Sequence, residues 1–213
     1  MDRLRDPTVA RAVAEHPEVN ARKAGNRLLF FDRVDVGATV ERPVGGGVVL
    51  DIAMIESADE QSCAEITRAL RGAKLGPAPT HRGSGLTAAI IRLPGPLRRS
   101  AIRLGATVPS VAATFGPAVG VTSIGMFTHG WGWAIPLSPL TLIVTVGGVV
   151  ERPAVHEGRV VPRTMLPLTL TFDHAVIDGA PAARFTETLR RLVETAAVLD
   201  DGEEMEERSI VDE

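Results

Sequence analysis

Apolar, β-branched runs dominate the second half of the chain. Residues 119–124 and 140–150 are almost purely apolar and 165–172 adds a third such run, so all three predict strands. Pro181 then opens an amphipathic helix that continues to about Leu199. Its apolar face consists of Ala182, Phe185, Leu189, Leu192 and Val193.

The first half combines a helix with shorter strands. Residues 7–15 predict a helix that ends before His16-Pro17, because the residue before a proline disfavours helical geometry. Residues 20–26 are rich in turn-forming residues, whereas 27–40 and 48–55 alternate or run apolar and predict strands.

Several local signals mark turns and a second helix. Gly45-Gly46-Gly47 predicts a turn, and His156-Glu157-Gly158 predicts a hairpin turn. Ser57-Ala58-Asp59-Glu60 has the form of a capping box, with a serine three residues before a glutamate. We therefore expect a helix after it that ends near Gly72 and has Ile66, Ala69 and Leu70 as its apolar stripe.

A short basic amphipathic helix is predicted over residues 97–104. It fits either an anion or membrane-surface contact or a solvated helix packed on its own domain, and the second interpretation is favoured. Because helices and strands are mixed and most strands lie in the second half, the pattern indicates an α+β (α/β two-layer) fold. A large mixed β-sheet is expected, flanked by helices.

Composition agrees with one aliphatic domain. Hydrophobic residues make up 45% of the 213 residues, aromatic residues only 4%, and tyrosine is absent. Residues 200–213 carry eight acids and one base, which leaves a net charge of +4 on the rest of the chain. We expect a domain over 1–199 and a disordered acidic tail over 200–213. The chain has no dense basic block of the kind that would indicate a nucleic-acid partner. The mild positive charge of residues 1–199 fits a small anionic ligand.

Two features bear on location. Residues 104–150 contain no Asp, Glu, Lys or Arg, but four prolines interrupt them, so we predict no membrane span. The N-terminus lacks the apolar run of a signal peptide, and the lone Cys63, interpreted as a small buried residue, excludes an internal disulfide. A cytoplasmic location is expected.

The segment 167–179, Pro-Leu-Thr-Leu-Thr-Phe-Asp-His-Ala-Val-Ile-Asp-Gly, concentrates the candidate chemistry. A predicted strand ends at Asp173-His174, which places an imidazole where it can face a ligand. Asp178 follows four residues later and is suited to cap the next helix or to pair with a base. Gly179 is predicted to adopt a positive φ in the tight turn.

This segment resembles the active-site signature of the dihydrolipoamide acyltransferases, the core components of 2-oxo acid dehydrogenase complexes, in the chloramphenicol acetyltransferase-like superfamily. Residues 16–22 (His-Pro-Glu-Val-Asn-Ala-Arg), 34–38, 57–70 and 120–125 are also similar to that family. The resemblance covers most of the chain except 74–110 and the tail. It implies a chloramphenicol acetyltransferase-like fold.

The resemblance also implies roles for individual residues. His174 would be the general base and Asp178 the organiser of its loop, while Thr122, 52 residues before His174, would donate to the oxyanion. Ser123 is the nearby alternative to Thr122, and Ser123, Gly125 and Gly179 are expected to contact the bound cofactor.

The chemistry of such a site is acyl transfer between thiols. A histidine ordinarily has a pKa near ~6.5 and a thiol near ~8.5, so moving the proton costs roughly 2.7 kcal/mol. One hydroxyl aimed at the developing oxyanion can return about 2.7–4 kcal/mol. Coenzyme A or acyl-coenzyme A is the expected substrate, with the lipoyl group on a separate partner or another small molecule as acceptor, and no metal.

The expected partners follow from the same resemblance. We expect a homotrimer or a larger trimer-based assembly, with catalytic groups contributed by adjacent subunits. The family's lipoyl domain and the front part of its catalytic domain are missing or divergent here, so another chain is expected to supply them. This departure, and Ala175 in place of the family's arginine, favour an alternative: a non-catalytic core or scaffold subunit, or one half of a split acyltransferase.

Two further groups of residues are candidates for a site. Trp131 and Trp133 fit either an acyl pocket or local packing against the sheet. His81, His129 and His156 have no metal-ligand spacing with one another or with Cys63, so no metal site is predicted.

Overall fold

The computed structural model describes residues 7–44, 46–76, 89–90, 92–112, 116–125 and 132–195. In chain order the principal elements of these residues are α1 (Pro7–Glu15), β1 (Ala21–Ala24), β2 (Arg27–Phe30), β3 (Val36–Val44), β4 (Gly47–Ile55), α2 (Cys63–Leu75), α3 (Gly95–Thr107), α4 (Pro109–Ala112), β5 (Val119–Ser123), β6 (Leu142–Val146), β7 (Val150–His156), β8 (Arg159–Met165), β9 (Leu168–Phe172) and α5 (Gly179–Glu194).

The main sheet is mixed and has the strand order β4-β3-β5-β6-β9. Its three central strands are parallel to one another, and the outer strands β4 and β9 run antiparallel to their neighbours. Two antiparallel ribbons, β1–β2 and β7–β8, complete the described strands. The predicted mixed sheet of an α+β fold is thereby confirmed.

Helices α1, α2 and α5 bury their apolar stripes in one aliphatic cluster with the sheet. Phe185 of α5 is fully buried and meets the rings of His16 and Phe172 edge-on, each at a centroid distance of 5.8 Å. His16 also joins the end of α1 to the middle of α5, because its Nε2 lies 2.9 Å from the hydroxyl of Thr188. The main core uses aliphatic residues from both layers, as the composition predicted.

Two local predictions were wrong. Residues 21–24 form strand β1, and the turn is confined to Gly25, which has a φ of +60°, and Asn26. The capping box is at Ser62 and Glu65, where the Ser62 hydroxyl accepts from the Glu65 amide and the Glu65 carboxylate accepts from the Ser62 amide. Ser57 instead has a φ of +48° in a turn after β4.

Helix α3 contains the predicted basic helix. None of its described side chains is buried, and Leu97, Ile102 and Leu104 are exposed beside Arg98, Arg99 and Arg103. The helix contacts α4 and has a solvated face, and the choice between the two interpretations stays a prediction.

Cys63 begins α2 and is half-buried rather than buried. No helix among the described residues is both long enough and apolar enough to cross a membrane. The end of the predicted C-terminal helix, residues 196–199, and the acidic tail lie outside the described residues.

Candidate active site

Asp173 organises the loop that carries His174. Its amide donates to the carbonyl of Thr141 on the approach to β6 at 2.9 Å, which ties the end of β9 to the sheet. Its carboxylate accepts from the amide of Ala175 at 2.9 Å, and its carbonyl accepts from the amides of residues 176 and 177. His174 lies in this turn with 81% of its side chain exposed. Sequence reasoning assigned the organising role to Asp178 and missed Asp173.

Asp178 pairs with the candidate base. Its Oδ1 lies 3.5 Å from Nδ1 of His174, and the carboxylate side chain is 85% exposed. Asp178 is also the N-cap residue of α5, yet its side chain makes no capping hydrogen bond to that helix, which is described throughout. Of the two roles predicted for Asp178, the geometry therefore shows the pairing. An exposed pair of this kind contributes little to stability but can restrict the orientation of the ring.

Thr122 and Ser123 lie on opposite faces of the sheet. Successive residues of a strand alternate between faces, and Val119 and Val121 are buried in the helical cluster. Ser123 shares their face and lines an apolar cavity of about 50 Å³ beneath α1 and α5, together with Val9 and Leu189. Thr122 is half-buried on the other face. The two predicted alternatives for the hydroxyl donor are therefore not interchangeable.

Three threonines form a row on the face of Thr122. Thr122 pairs with Thr145 of β6, and Thr145 pairs with Thr169 of β9. Thr145 is only 2% exposed, and its hydroxyl has no hydrogen-bond partner among the described residues. A buried, unpaired hydroxyl costs about 1–3 kcal/mol. The sequence signal for this row was a threonine inside each of three apolar strands, and it was missed.

The structure does not bring Thr122 and His174 together within one chain. Thr122 is level with Thr169, and β9 continues from there for four residues, about 13 Å, to Asp173. Two strand spacings, about 10 Å, separate them sideways. The backbone of Thr122 and the start of the His174 turn are thus roughly 16 Å apart. A base and an oxyanion donor act within about 3 Å of their reacting atoms.

The two glycines predicted in the site, Gly125 and Gly179, differ in what the backbone requires of them. A Cβ on Gly125 would lie 2.3 Å from the carbonyl oxygen of Gly147, so this close approach admits only glycine. Gly179 does not have the predicted positive φ, because it is the first residue of α5. Contacts of Ser123, Gly125 and Gly179 with a bound cofactor stay predictions.

Trp131 of the predicted acyl pocket lies outside the described residues, as do His81 and His129. Trp133 is 64% exposed on the segment before β6. Within the described ranges, no group of three or more His, Cys, Asp or Glu side chains could hold a metal ion.

A buried arginine supports the same end of the sheet as His174. The guanidinium of Arg22 donates to the carbonyls of Ala112 and Pro117, and burial lowers its pKa. The neighbouring carbonyl of Ala21 accepts from the hydroxyl of Thr141. These contacts join β1 to the strand ends that carry the His174 turn.

Comparisons with known proteins give a consistent result. Residues 111–199 match the family model of the 2-oxoacid dehydrogenases acyltransferase (catalytic domain). The dihydrolipoyllysine-residue succinyltransferase component of the mitochondrial 2-oxoglutarate dehydrogenase complex of Saccharomyces cerevisiae is 27% identical over 86% of this chain. That alignment spans 33% of the yeast protein, so the chain spans about a third of this curated relative.

Two solved structures share the fold. The dihydrolipoamide acetyltransferase of Azotobacter vinelandii has a TM-score of 0.57 and 26% identity, with 91% of this chain and 70% of that chain covered. The cubic core of a pyruvate dehydrogenase multienzyme complex has a TM-score of 0.56 and 28% identity, with the same coverage. In the Azotobacter enzyme, a serine, a histidine 52 residues later and an asparagine four residues after that have been investigated for their role in the catalytic mechanism.

Proposed function

Since residues 111–199 match the catalytic-domain family of the 2-oxoacid dehydrogenase acyltransferases, we propose that this chain is an acyltransferase. It moves an acyl group between coenzyme A and a second thiol, which is a lipoyl group or another carrier thiol on a separate partner. His174 acts as the general base, Asp178 orients it, and Thr122 stabilises the oxyanion.

The observation that carries this proposal is that the predicted catalytic residues lie at two opposite ends of one sheet. His174 and Asp178 occupy an exposed turn at one end, and Thr122 lies near the other. A second copy of the chain in a cyclic assembly can place its Thr122 beside the first copy's His174. An active site between subunits then uses both groups, and the exposure of His174 in a single chain is expected.

The spacing of the three residues supports the same assignment. Thr122 lies 52 residues before His174, and Asp178 lies four residues after it. The serine, histidine and asparagine investigated in the Azotobacter acetyltransferase have the same two intervals. Threonine retains the hydroxyl of serine, whereas aspartate in place of asparagine adds a negative charge beside the base.

The proposed reaction proceeds by direct attack. His174 takes the proton of the acceptor thiol, and the thiolate adds to the thioester carbonyl while Thr122 donates to the oxygen that becomes negative. The carbon–sulfur bond to coenzyme A then breaks, and His174 returns the proton to the departing thiolate. The acyl group ends on the acceptor, and no electrons are transferred to any other group.

An exposed apolar edge supports the proposed trimer-based assembly. Strand β4 is at the edge of the sheet and leaves Val48, Val49, Leu50 and Ile52 half or more exposed. Such an edge is a surface that proteins usually cover. A trimer-based assembly would cover it. The cytoplasmic location and the partner that supplies the lipoyl group stay predictions.

The test is turnover of acyl-coenzyme A. Purified protein is incubated with short acyl-coenzyme A thioesters and dihydrolipoamide, and loss of the thioester is followed spectroscopically. Wild-type turnover that falls about 10²–10⁴-fold in His174→Ala supports the proposal. If no thioester is consumed and coenzyme A does not raise the melting temperature, the chain is a non-catalytic scaffold subunit or needs a second chain.

A further inference from the structure

We propose that Thr145 is a positioning residue that orients the hydroxyl of Thr122 through a side-chain hydrogen bond. The inference rests on the proposed role of Thr122 as the oxyanion donor. It assigns a task to a residue that neither the sequence motif nor the comparisons single out.

The register of the sheet places the two side chains next to each other. Thr122 of β5 and Thr145 of β6 are paired residues of neighbouring parallel strands, so their side chains emerge on the same face. Neighbouring strands are about 4.8 Å apart. Hydrogen bonds between threonine side chains at cross-strand positions are a recurring contact in sheets, and rotation about the Cα–Cβ bonds can bring the two hydroxyls into contact.

The surroundings of Thr145 among the described residues explain its methyl group but not its hydroxyl group. The side chain is 2% exposed, and within the part of the chain that the structure describes its Oγ1 has no hydrogen-bond partner. A valine of almost the same shape would fill this place without burying an unpaired polar group. Packing alone therefore does not require the hydroxyl, and the nearest predicted catalytic group is Thr122.

A hydroxyl group has one proton and two acceptor lone pairs, and the proposed bond uses this asymmetry. The Thr145 hydroxyl donates to Oγ1 of Thr122, and the Thr122 proton is then directed away from Thr145, toward the oxyanion. Hydrogen bonds in such a chain polarise one another, so Thr122 becomes a better donor.

The test separates positioning from folding. Thr145→Val is expected to lower kcat about fivefold to tenfold, the effect of one neutral hydrogen bond, and to leave KM unchanged. Its melting temperature should stay close to that of the wild type, because the loss of one side-chain hydrogen bond is offset by the removal of a buried polar group. Thr145→Ser keeps the hydroxyl and should retain most of the wild-type kcat.

Two comparisons make the test specific. Thr169→Val removes a hydroxyl that also neighbours Thr145 but lies two strands from Thr122, and kcat should not change. In a Thr122→Ala background, Thr145→Val should have no further effect, because residues that act through one another are non-additive. An unchanged kcat in Thr145→Val, or an equal loss in the Thr122→Ala background, overturns the inference.

A crystal structure provides a readout that does not depend on turnover. Oγ1 of Thr145 and Oγ1 of Thr122 are expected within about 3.2 Å of each other. A Thr145 hydroxyl bonded to Thr169 or to another group instead would overturn the inference. If the wild type shows no turnover while this bond is present, the proposed reaction has failed and the contact between the two threonines stands.

Discussion

Thr122 and His174 lie at opposite ends of one sheet. The pairing Thr122–Thr145–Thr169 sets the level of Thr122, and β9 then carries the chain about 13 Å further before the His174 turn begins. A site that uses both residues therefore draws them from two copies of the chain.

This arrangement predicts complementation between two inactive variants. Thr122→Ala and His174→Ala chains, co-expressed in equal amounts, should recover about a quarter of the wild-type activity, because random cyclic assembly pairs an intact Thr122 with an intact His174 at that fraction of interfaces. Activity per chain of the whole co-expressed mixture, homo-oligomers included, is the measurement. The control is co-expression of two differently tagged His174→Ala chains. A mixture as inactive as this control would place the site within one chain.

Asp178→Asn is expected to lower kcat roughly tenfold. This loss is a small part of the rate enhancement of about 10²–10⁴-fold that a general base contributes. The physical reason is the 3.5 Å contact between Oδ1 of Asp178 and Nδ1 of His174. Asparagine has the same shape as aspartate but lacks its negative charge. Because the side chain makes no capping bond in the fully described helix α5, the melting temperature should stay unchanged. A lower melting temperature with unchanged kcat would instead identify Asp178 as a capping residue.

Gly125→Ala should destabilise the fold by at least about 1–3 kcal/mol, because the new methyl group would meet the backbone of Gly147. Urea unfolding followed by circular dichroism measures the loss. Gly132→Ala is the matched control, since a Cβ there has no described atom within 4 Å and should cost little. If the two variants are equally stable, the close approach at Gly125 is incorrect.

Ser62→Ala should cost about 1 kcal/mol of stability, because the hydroxyl of Ser62 caps helix α2. Ser57→Ala, at the position where the sequence pattern predicts the cap, should change stability by less than about 0.5 kcal/mol. Chemical denaturation of the two variants checks this difference. A larger loss for Ser57→Ala would restore the sequence-based assignment.

The same cap predicts a pH dependence. Hydrogen bonds from the Ser62 amide and hydroxyl lower the pKa of Glu65. A lowered carboxyl pKa contributes stability that is present above the unfolded value and is lost as the pH falls through the folded one. The stability difference between wild type and Glu65→Ala should therefore be present at pH 7 and narrow below about pH 4. A difference that does not change with pH would exclude the charged cap.

The sequence by itself determined most of the local structure and named the candidate residues of the site. Hydrophobic periodicity predicted the strands of the main sheet and the helices α1 and α5, since periods of two and 3.6 residues are properties of neighbouring residues. It missed strand β1, where residues 21–24 were predicted as a turn. The intervals among Thr122, His174 and Asp178 are likewise properties of the chain alone. The cap at Ser62 was missed, because two serines precede glutamates by three residues and only packing selects one.

Only the tertiary structure decided where these groups lie. Sheet order and strand register depend on contacts between residues far apart in the chain, and a one-residue shift exchanges the two faces of a strand. That register puts Ser123 under the helices, Thr122 on the other face beside the buried Thr145, and His174 at the far end of the sheet. No pattern within a single strand contains this information, because each strand's face and level are set by the strands it pairs with.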